Sequence, residues 1–416
     1  MNKTIMLMKL LLKDLLSQKR NRLIMFAIGF GAFFIVVGGG YNKGIKQQLL
    51  QLMHDGYTGD VTIVSSSVKL EPNPMPIQVG WQDMLIGNQA VLEHLKKDSK
   101  VKDILGRLVI YGNVMGEDDI KNEYATIIGC DFKTEKNYTF QKILKFEDNF
   151  KLGPNYILIS KKIAQKLNLK FGDDIYIFLV DMNETITPVK FKVGGIFTGK
   201  GFPAVVEGLI YIDYADLKTA LRLTDTYFSS ISILFNNQPD FKSTLNRVQT
   251  MIPREWSLVT PDISGSFFKG IHSMINLTTK VSNVLMYLII FLFVYSTLLI
   301  NINSRRREMG IMSSLGISNS QIFMIFTGEG ILLGLYPALI GTVLGLLVVV
   351  IFMFVGIPAV NDAMKYMFAS DVLYFKIDIV AVINATIVIS LIAFLGSILP
   401  TLKILKLKPV NALKEN

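Results

Sequence analysis

The sequence predicts a membrane α-helical protein with four transmembrane helices and a large α+β extracytoplasmic domain inserted between helix 1 and helix 2. Apolar runs fall at residues 23–40, 281–302, 330–355 and 377–399, each close to the roughly 20 residues that a helix needs to cross a bilayer. A long stretch of mixed polarity separates the first run from the second, enough for a folded domain, whereas the last three lie close together. Composition agrees. The chain is 50% hydrophobic and 18% charged over 416 residues, with a mean hydropathy of +0.41. That is too apolar for a soluble protein and too charged for one lying wholly in lipid.

The net charge of +10 raises nucleic acid as a partner, but the cations cluster beside the apolar runs, which excludes it. Lys3, Lys9, Lys13, Lys19, Arg20 and Arg22 precede helix 1; Arg305, Arg306 and Arg307 follow helix 2; Lys403, Lys406, Lys408 and Lys414 follow helix 4. Cationic short segments stay cytoplasmic, so both termini and the loop between helices 2 and 3 are expected inside. The divisions are then a cytoplasmic amphipathic N-terminal helix (1–22), helix 1 (23–44), the extracytoplasmic domain (45–275), helix 2 (276–302), a cytoplasmic loop (303–322), helix 3 (323–355), an extracytoplasmic loop (356–376), helix 4 (377–400) and a cytoplasmic tail (401–416). The first apolar run is too long for a signal-peptide core and ends in Gly-Gly-Gly-Tyr, so cleavage is not expected. Residues 1–22 read equally as an interfacial amphipathic helix or as a plain basic anchor.

Within the outer domain, β-rich runs at 60–64, 107–114, 124–130, 175–180, 189–197, 209–212 and 229–235 predict strands, and patterns at 88–97, 161–169, 214–223 and 240–251 predict helices. Ser160 reads as an N-cap, and a nested lobe is expected at about 153–235. Cys130 is the chain's one cysteine, so no intrachain disulfide is available; in a strand-like run it reads as a small buried hydrophobe. His54, His94 and His272 have no metal-ligand spacing and read as solvated or capping residues.

Residues 194–201, Gly-Gly-Ile-Phe-Thr-Gly-Lys-Gly, come near the phosphate-binding loop pattern. Gly201 stands where the Mg²⁺-ligating Ser/Thr belongs and Pro203 follows where a helix should begin, so a flexible loop after a strand is the reading preferred. No Ser-His-Asp, Cys-His or paired-carboxylate pattern stands out, and no catalytic residue is assigned. The loop after helix 2 differs: Arg305-Arg306-Arg307-Glu308-Met309-Gly310-Ile311-Met312-Ser313-Ser314-Leu315-Gly316 combines a charged entry, a short amphipathic helix and a glycine break. It suits a partner's groove, against the plainer alternative of a positive-inside loop. Gly330, Gly334, Gly341 and Gly345 fall on one narrow face of helix 3 and predict close helix contact. Glu329 beside them reads as a capping or paired residue.

The segment from Glu308 to Ile322 resembles the signature of FtsX-like ABC-transporter permeases, and Pro409-Val410-Asn411-Ala412-Leu413-Lys414 is similar to that family's C-terminal ending. Span order, the large outer domain, Ile157–Ser160 with Gly172-Asp173-Asp174-Ile175, and Phe191–Phe197 resemble the MacB-type and lipoprotein-releasing LolC/LolE branch. The resemblance implies a permease subunit without its own catalysis, and no cofactor on this chain. ATP and Mg²⁺ would be held by a LolD-like ATPase dimer on a separate chain, touched by Glu308, Met309, Gly310, Ile311, Leu315 and Gly316. A second permease subunit, membrane lipid, a lipoprotein substrate extracted from the outer leaflet of a bacterial inner membrane by mechanotransmission, and a LolA-like periplasmic carrier are the implied partners. The hairpin at 180–193 is short beside the family's carrier-gripping hook. A MacB-type efflux permease and an FtsX-type regulator of cell-wall hydrolases stay open. Acyl chains need an apolar site at the outer leaflet, for which Phe33, Phe34 and Val37 on helix 1 and Val284, Leu285 and Leu288 on helix 2 are the candidates, against ordinary lipid-facing packing. Gly38-Gly39-Gly40 is expected to let this wall move.

Overall fold

Helix 1 runs unbroken over Lys19–Met53 in the computed structural model, straight through the three consecutive glycines expected to be flexible. Residues 19–68, 79–87, 89–117, 121–147, 150–200, 206–236, 241–259, 266–304, 311–312 and 314–405 are those described. Of the amphipathic helix expected at 1–22, residues 1–18 lie outside them and 19–22 are part of helix 1, and the C-terminal signature at 409–414 also lies outside. The chain divides into a membrane unit (Met1–Ile45, Ser273–Ile357 and Tyr374–Asn416) and an outer unit (Lys46–His272 and Pro358–Leu373).

In the membrane unit, helix 1 is joined by helix 2 (Ser266–Ser304), helix 3 (Asn319–Val355) and helix 4 (Ile379–Leu405), and all four are long and apolar enough to cross a bilayer. The first two have 35 and 39 residues, so at about 1.5 Å per residue they exceed a hydrocarbon core of roughly 30 Å. Packing explains the glycines at positions 39 and 40. A Cβ on Gly39 would strike the Ala381 side chain, and one on Gly40 would come within 2.7 Å of Val349 Cγ2. Gly39 and Gly40 thus allow close approach between helices, whereas a Cβ on Gly38 would meet nothing within 4 Å. Gly31 likewise admits Ile290 of helix 2, and Asn42 Nδ2 donates to Thr279 Oγ1 at 2.7 Å. Thr342 and Thr386 hydroxyls bond across helices 3 and 4 at 3.2 Å.

The outer unit is built on one ten-stranded mixed sheet. Its strands are β1 (Val61–Ser65), β2 (Val101–Gly116), β3 (Asn122–Cys130), β4 (Leu144–Phe146), β5 (Tyr156–Ser160), β6 (Asp174–Val180), β7 (Ile186–Gly199), β8 (Leu209–Asp213), β9 (Ser230–Phe235) and β10 (Trp256–Val259). The order is β10-β1-β9-β2-β3-β8-β5-β7-β4, and β6 pairs with both β2 and β7. Consequently β2, β3, β8, β5, β7 and β6 form a closed ring of pairings, which leaves those strands without open edges. Residues 153–235, expected as a nested lobe, supply β5–β9 and are interleaved with the others in this one sheet.

The strands' period of two sorts their side chains. Leu108, Ile110, Ile127, Ile157, Ile159, Ile175, Ile177, Val193, Ile210 and Ile212 face one core, where Leu167, Leu217 and Leu221 join them. Val109, Ile128, Cys130, Leu158, Leu209 and Tyr211 face the other, with Phe132, Phe140 and Ile143 from the helical segment 132–143. Cys130 is fully buried there, as its setting predicts, and burial pushes its thiol well up. A third core joins β1, β9 and β10 to α1 (Gln89–Lys96) and α4 (Phe241–Met251). Between them in the chain, α2 (Lys161–Lys166) and α3 (Tyr214–Ala220) match predicted helices but end earlier. Ser160 stands at the N-cap position of α2, yet its hydroxyl makes no cap bond; Oγ accepts from Gly208 N at 3.1 Å instead.

The glycines of the phosphate-loop-like stretch are explained by packing. Gly194 is the extra residue of a β-bulge, since Ile157 pairs with Val193 and Leu158 with Gly195. A Cβ at Gly194 would sit 2.5 Å from Lys151 O, and one at Gly195 2.8 Å from Phe150 Cβ. The strand expected at 189–197 runs on through residues 198–199, where a loop was expected.

Candidate functional site

Helix 3 begins at a capping box: Ser318 Oγ accepts from Gln321 N, and Gln321 Oε1 accepts from Ser318 N. Just before it, a short helical piece ends at Gly316, whose φ is +85°. Ile317 N donates to Met312 O at 3.0 Å, the six-to-one bond of a Schellman ending that requires a left-handed residue at the glycine. Two helix ends therefore meet in a few residues, and this tight turn carries apolar side chains outward. Leu315 is 76% exposed and Ile311 46%. Of the residues assigned to ATPase contact, the structure places Ile311, Leu315 and Gly316 in this turn; Glu308, Met309 and Gly310 lie outside the described residues.

The helix 3 glycines divide between two neighbours, although they share a narrow face on an ideal helix. A Cβ on Gly334 would strike Ala393 of helix 4. On Gly341 it would strike the backbone of Gly29, and on Gly345 it would reach within 3.0 Å of Val36, both on helix 1. Gly330 is buried. Gly29, absent from the sequence reading, answers Gly341: its own Cβ would sit 3.1 Å from Pro337 O. Helices 1 and 3 thus touch backbone to backbone, the contact that small residues permit in lipid.

The six candidate lipid-contact residues lie on two exposed surfaces rather than in one enclosed pocket. Phe34, Val284, Leu285 and Leu288 are exposed, while Phe33 and Val37 are half-buried. Phe33 instead lines an apolar groove of about 480 Å³ between helices 1 and 3, with Phe26, Phe30, Ile340 and Leu344, and with Arg22 also on its wall. Phe26, Phe30, Phe33 and Phe34 stack edge and face along helix 1 with centroids 4.5–6.3 Å apart. The β6–β7 hairpin turns at Asp181–Thr185, where Asp181 Oδ1 accepts from Asn183 N and Thr185 N, and exposes Val180, Met182 and Ile186.

A polar cluster that the sequence reading missed fixes the outer end of helix 1. There the helix passes into a single wide turn, His54–Thr58, within the outer unit. The Arg107 guanidinium is buried and donates to Tyr57 O at 2.7 Å, to Thr139 Oγ1 at 2.9 Å and to both Glu135 carboxylate oxygens. Ser232 Oγ also donates to Tyr57 O at 2.8 Å. Glu135 is 1% exposed, and its charge holds the Arg107 pKa above the usual guanidinium value even against burial. His54 is not simply solvated: Nδ1 meets Asp55 at 2.9 Å and Nε2 meets Asp60 at 3.1 Å, which raises the imidazole pKa to about 9. Lys142 Nζ reaches the same Asp55 at 2.6 Å. One signal was available, an arginine at the head of the mostly apolar run 107–114.

Two family models match the chain. The MacB-like periplasmic core domain covers residues 23–251 and the FtsX-like permease C-terminal domain covers residues 281–409. A lipoprotein-releasing system transmembrane protein LolC of Haemophilus influenzae is 23% identical over 277 residues, 65% of this chain and 67% of that one. A LolC of Buchnera aphidicola subsp. Schizaphis graminum is 21% identical over 336 residues, 77% and 78% of the two chains. An uncharacterised ABC transporter permease protein of Mycobacterium tuberculosis is 26% identical over 201 residues, 48% of this chain but only 22% of that longer one. The crystal structure of the periplasmic region of MacB from Actinobacillus actinomycetemcomitans covers 50% of this chain and 92% of its own, at 10% identity and a TM-score of 0.34. The first family model alone takes in more than half of the chain, and the chain belongs to the FtsX-like ABC transporter permeases with a MacB-like periplasmic core domain.

Proposed function

We propose that this permease works with a separate, LolD-like ATPase dimer and a second permease subunit to extract lipoproteins from the outer leaflet of the inner membrane. The ATPase stroke would pass to the outer domain as movement of helices, with no substrate tunnel through this chain. The observation that carries the mechanical part is helix 1, an uninterrupted rod from Lys19 to Met53 whose final turn is tied into a buried ion-pair network. Movement of this helix would pass to the domain core through that network. The Ile311–Gly316 turn supports the other end of the path: it offers two exposed apolar side chains on a doubly capped, stiff element, suited to an ATPase groove. The lipoprotein substrate rests on similarity to proteins named LolC, and a LolA-like carrier would take the product.

Photo-crosslinking side chains placed at Phe34 and Leu285 test the substrate. They should capture triacylated lipoprotein, with a lower yield when ATP and a competent ATPase are present. Capture of an efflux adaptor, or of bulk phospholipid alone, would mean the permease serves another cargo. Changing Leu315 to Asp should abolish permease-dependent ATP turnover while the protein stays inserted; normal turnover would leave the turn as a topology signal.

A further inference from the structure

A second feature of the outer unit has the form of a ligand site. Pro358–Leu373, the segment between helices 3 and 4, packs within the outer unit. It carries α5 (Asp362–Phe368), with Phe368 and Leu373 buried, Gln48 Nε2 donating to Val372 O at 2.7 Å, and Tyr366 OH donating to Glu207 at 3.2 Å. Between α5 and the β4–β7 corner lies a cavity of about 570 Å³. Its wall holds Lys145, Lys161, Lys162, Lys200 and Lys365 against Glu207, Asp362 and Asp371, and adds the hydroxyls of Ser160, Thr198 and Tyr366.

The cations are not equally occupied. Lys162 pairs with Glu207 at 2.8 Å, Lys161 with Glu147 at 2.5 Å, and Lys365 with Asp362 and Asp371 at 3.5 and 3.7 Å. Among the described residues Lys145 and Lys200 have no carboxylate partner, and Lys200 Nζ donates to Gln141 O at 2.5 Å. Strand register sets these two together. Lys145 pairs with Thr198 across β4–β7, and Lys200 N continues the ladder to Ile143 O, so Lys145, Thr198 and Lys200 share one face. The residues of the glycine-lysine stretch thus face this cavity through strand side chains and not through a loop.

We propose that this cavity binds a phosphoryl group, that of an anionic phospholipid headgroup or free phosphate. Ammonium groups act as point charges toward phosphate, and the cavity has headgroup size. In the chain, Ile357 and Tyr374 of the membrane unit stand five and three positions from Asp362 and Asp371. The site is independent of which cargo the permease carries.

Native mass spectrometry of the full-length protein in neutral detergent tests this, with dihexanoyl phosphatidylglycerol as the probe and dihexanoyl glycerol as its phosphate-free control. Phosphatidylglycerol should bind, the control should not, and Lys145→Gln with Lys200→Gln should weaken binding about tenfold or more, the scale of one or two charge-assisted bonds. A second pair, Asp362→Asn with Asp371→Asn, removes competing negative charge and should tighten binding several-fold, a gain that misfolding cannot mimic. Competition by inorganic phosphate at the lipid's own concentration assigns free phosphate; competition by lipid alone assigns the headgroup. Equal retention of phosphatidylglycerol and its phosphate-free control, or indifference to both charge pairs, overturns the proposal.

Discussion

Replacing Arg107 with Leu removes the guanidinium that ties the last turn of helix 1 to the outer-domain core. The change leaves the Glu135 carboxylate at 1% exposure with no cation, and removes one of the two donors to Tyr57 O. Breaking a buried pair from one side costs about 3–5 kcal/mol. For a unit of this size each kcal/mol lowers Tm by roughly 2–4 °C, so a fall of about 6–20 °C is expected. The chain has two tryptophans, Trp81 and Trp256, and both lie in the outer unit, so their fluorescence in detergent follows that unit alone. Arg107→Leu combined with Glu135→Leu should recover at least half of the loss, because no uncompensated charge remains and Ser232 still satisfies Tyr57 O at 2.8 Å. A single variant within about 3 °C of the parent, roughly 1 kcal/mol, or a double variant no better than the single, would refute the anchor.

His54 gives a pH dependence. Its pKa is raised from the ordinary 6.5 to about 9 by hydrogen bonds to Asp55 and then Asp60, so its contribution is complete below pH 6.5 and is lost as pH rises through 9. Partial solvent exposure limits it to about 1–2 kcal/mol; His54→Gln should flatten the fall in tryptophan-monitored Tm over that window, and an unchanged slope sinks the assignment. Gly341→Leu should destabilise the membrane unit by about 1–3 kcal/mol or more through overpacking, read as heat-induced aggregation in detergent, whereas Gly328→Ala, which meets nothing within 4 Å, should be neutral; equal behaviour refutes the backbone contact between helices 1 and 3. Cysteines placed at Lys200 and Ser313, the latter outside the described residues, should label from outside and only after permeabilisation, respectively; labelling from one side contradicts the four-span topology.

The spans were legible because bilayer crossing imposes a length and a polarity that few other structures share. The strands at 124–130, 175–180 and 209–212 were legible because branched and aromatic residues cluster in them, and the observed β3, β6 and β8 differ by two residues or fewer at each end. β4 and β10, with three and four residues, are too short for a pattern to show. The closed ring of pairings was not legible at all, since it depends on β6, besides its hairpin partner β7, reaching β2 across long sequence separation. Glycine was the residue most easily misread. Gly39, Gly40, Gly194 and Gly195 look like hinges and loops in one dimension, yet each is small because another chain segment comes close.

Arg107 marks a different limit. Its parity in β2 puts it on the face of Val109, toward a core of Phe132, Phe140 and Tyr211, where an isolated cation would cost far more than the strand could offset. Its presence therefore required a buried anion, but Glu135 sits 28 residues away behind a turn, and composition offers many carboxylates that would serve equally. The same reasoning extends to His54. A histidine flanked by Asp55 and Asp60 is ordinary in a solvated loop, and becomes a charged clamp only because the helix ends in a wide turn that folds both carboxylates onto one ring. Both charged residues act within the outer unit, and only the fold identifies their partners.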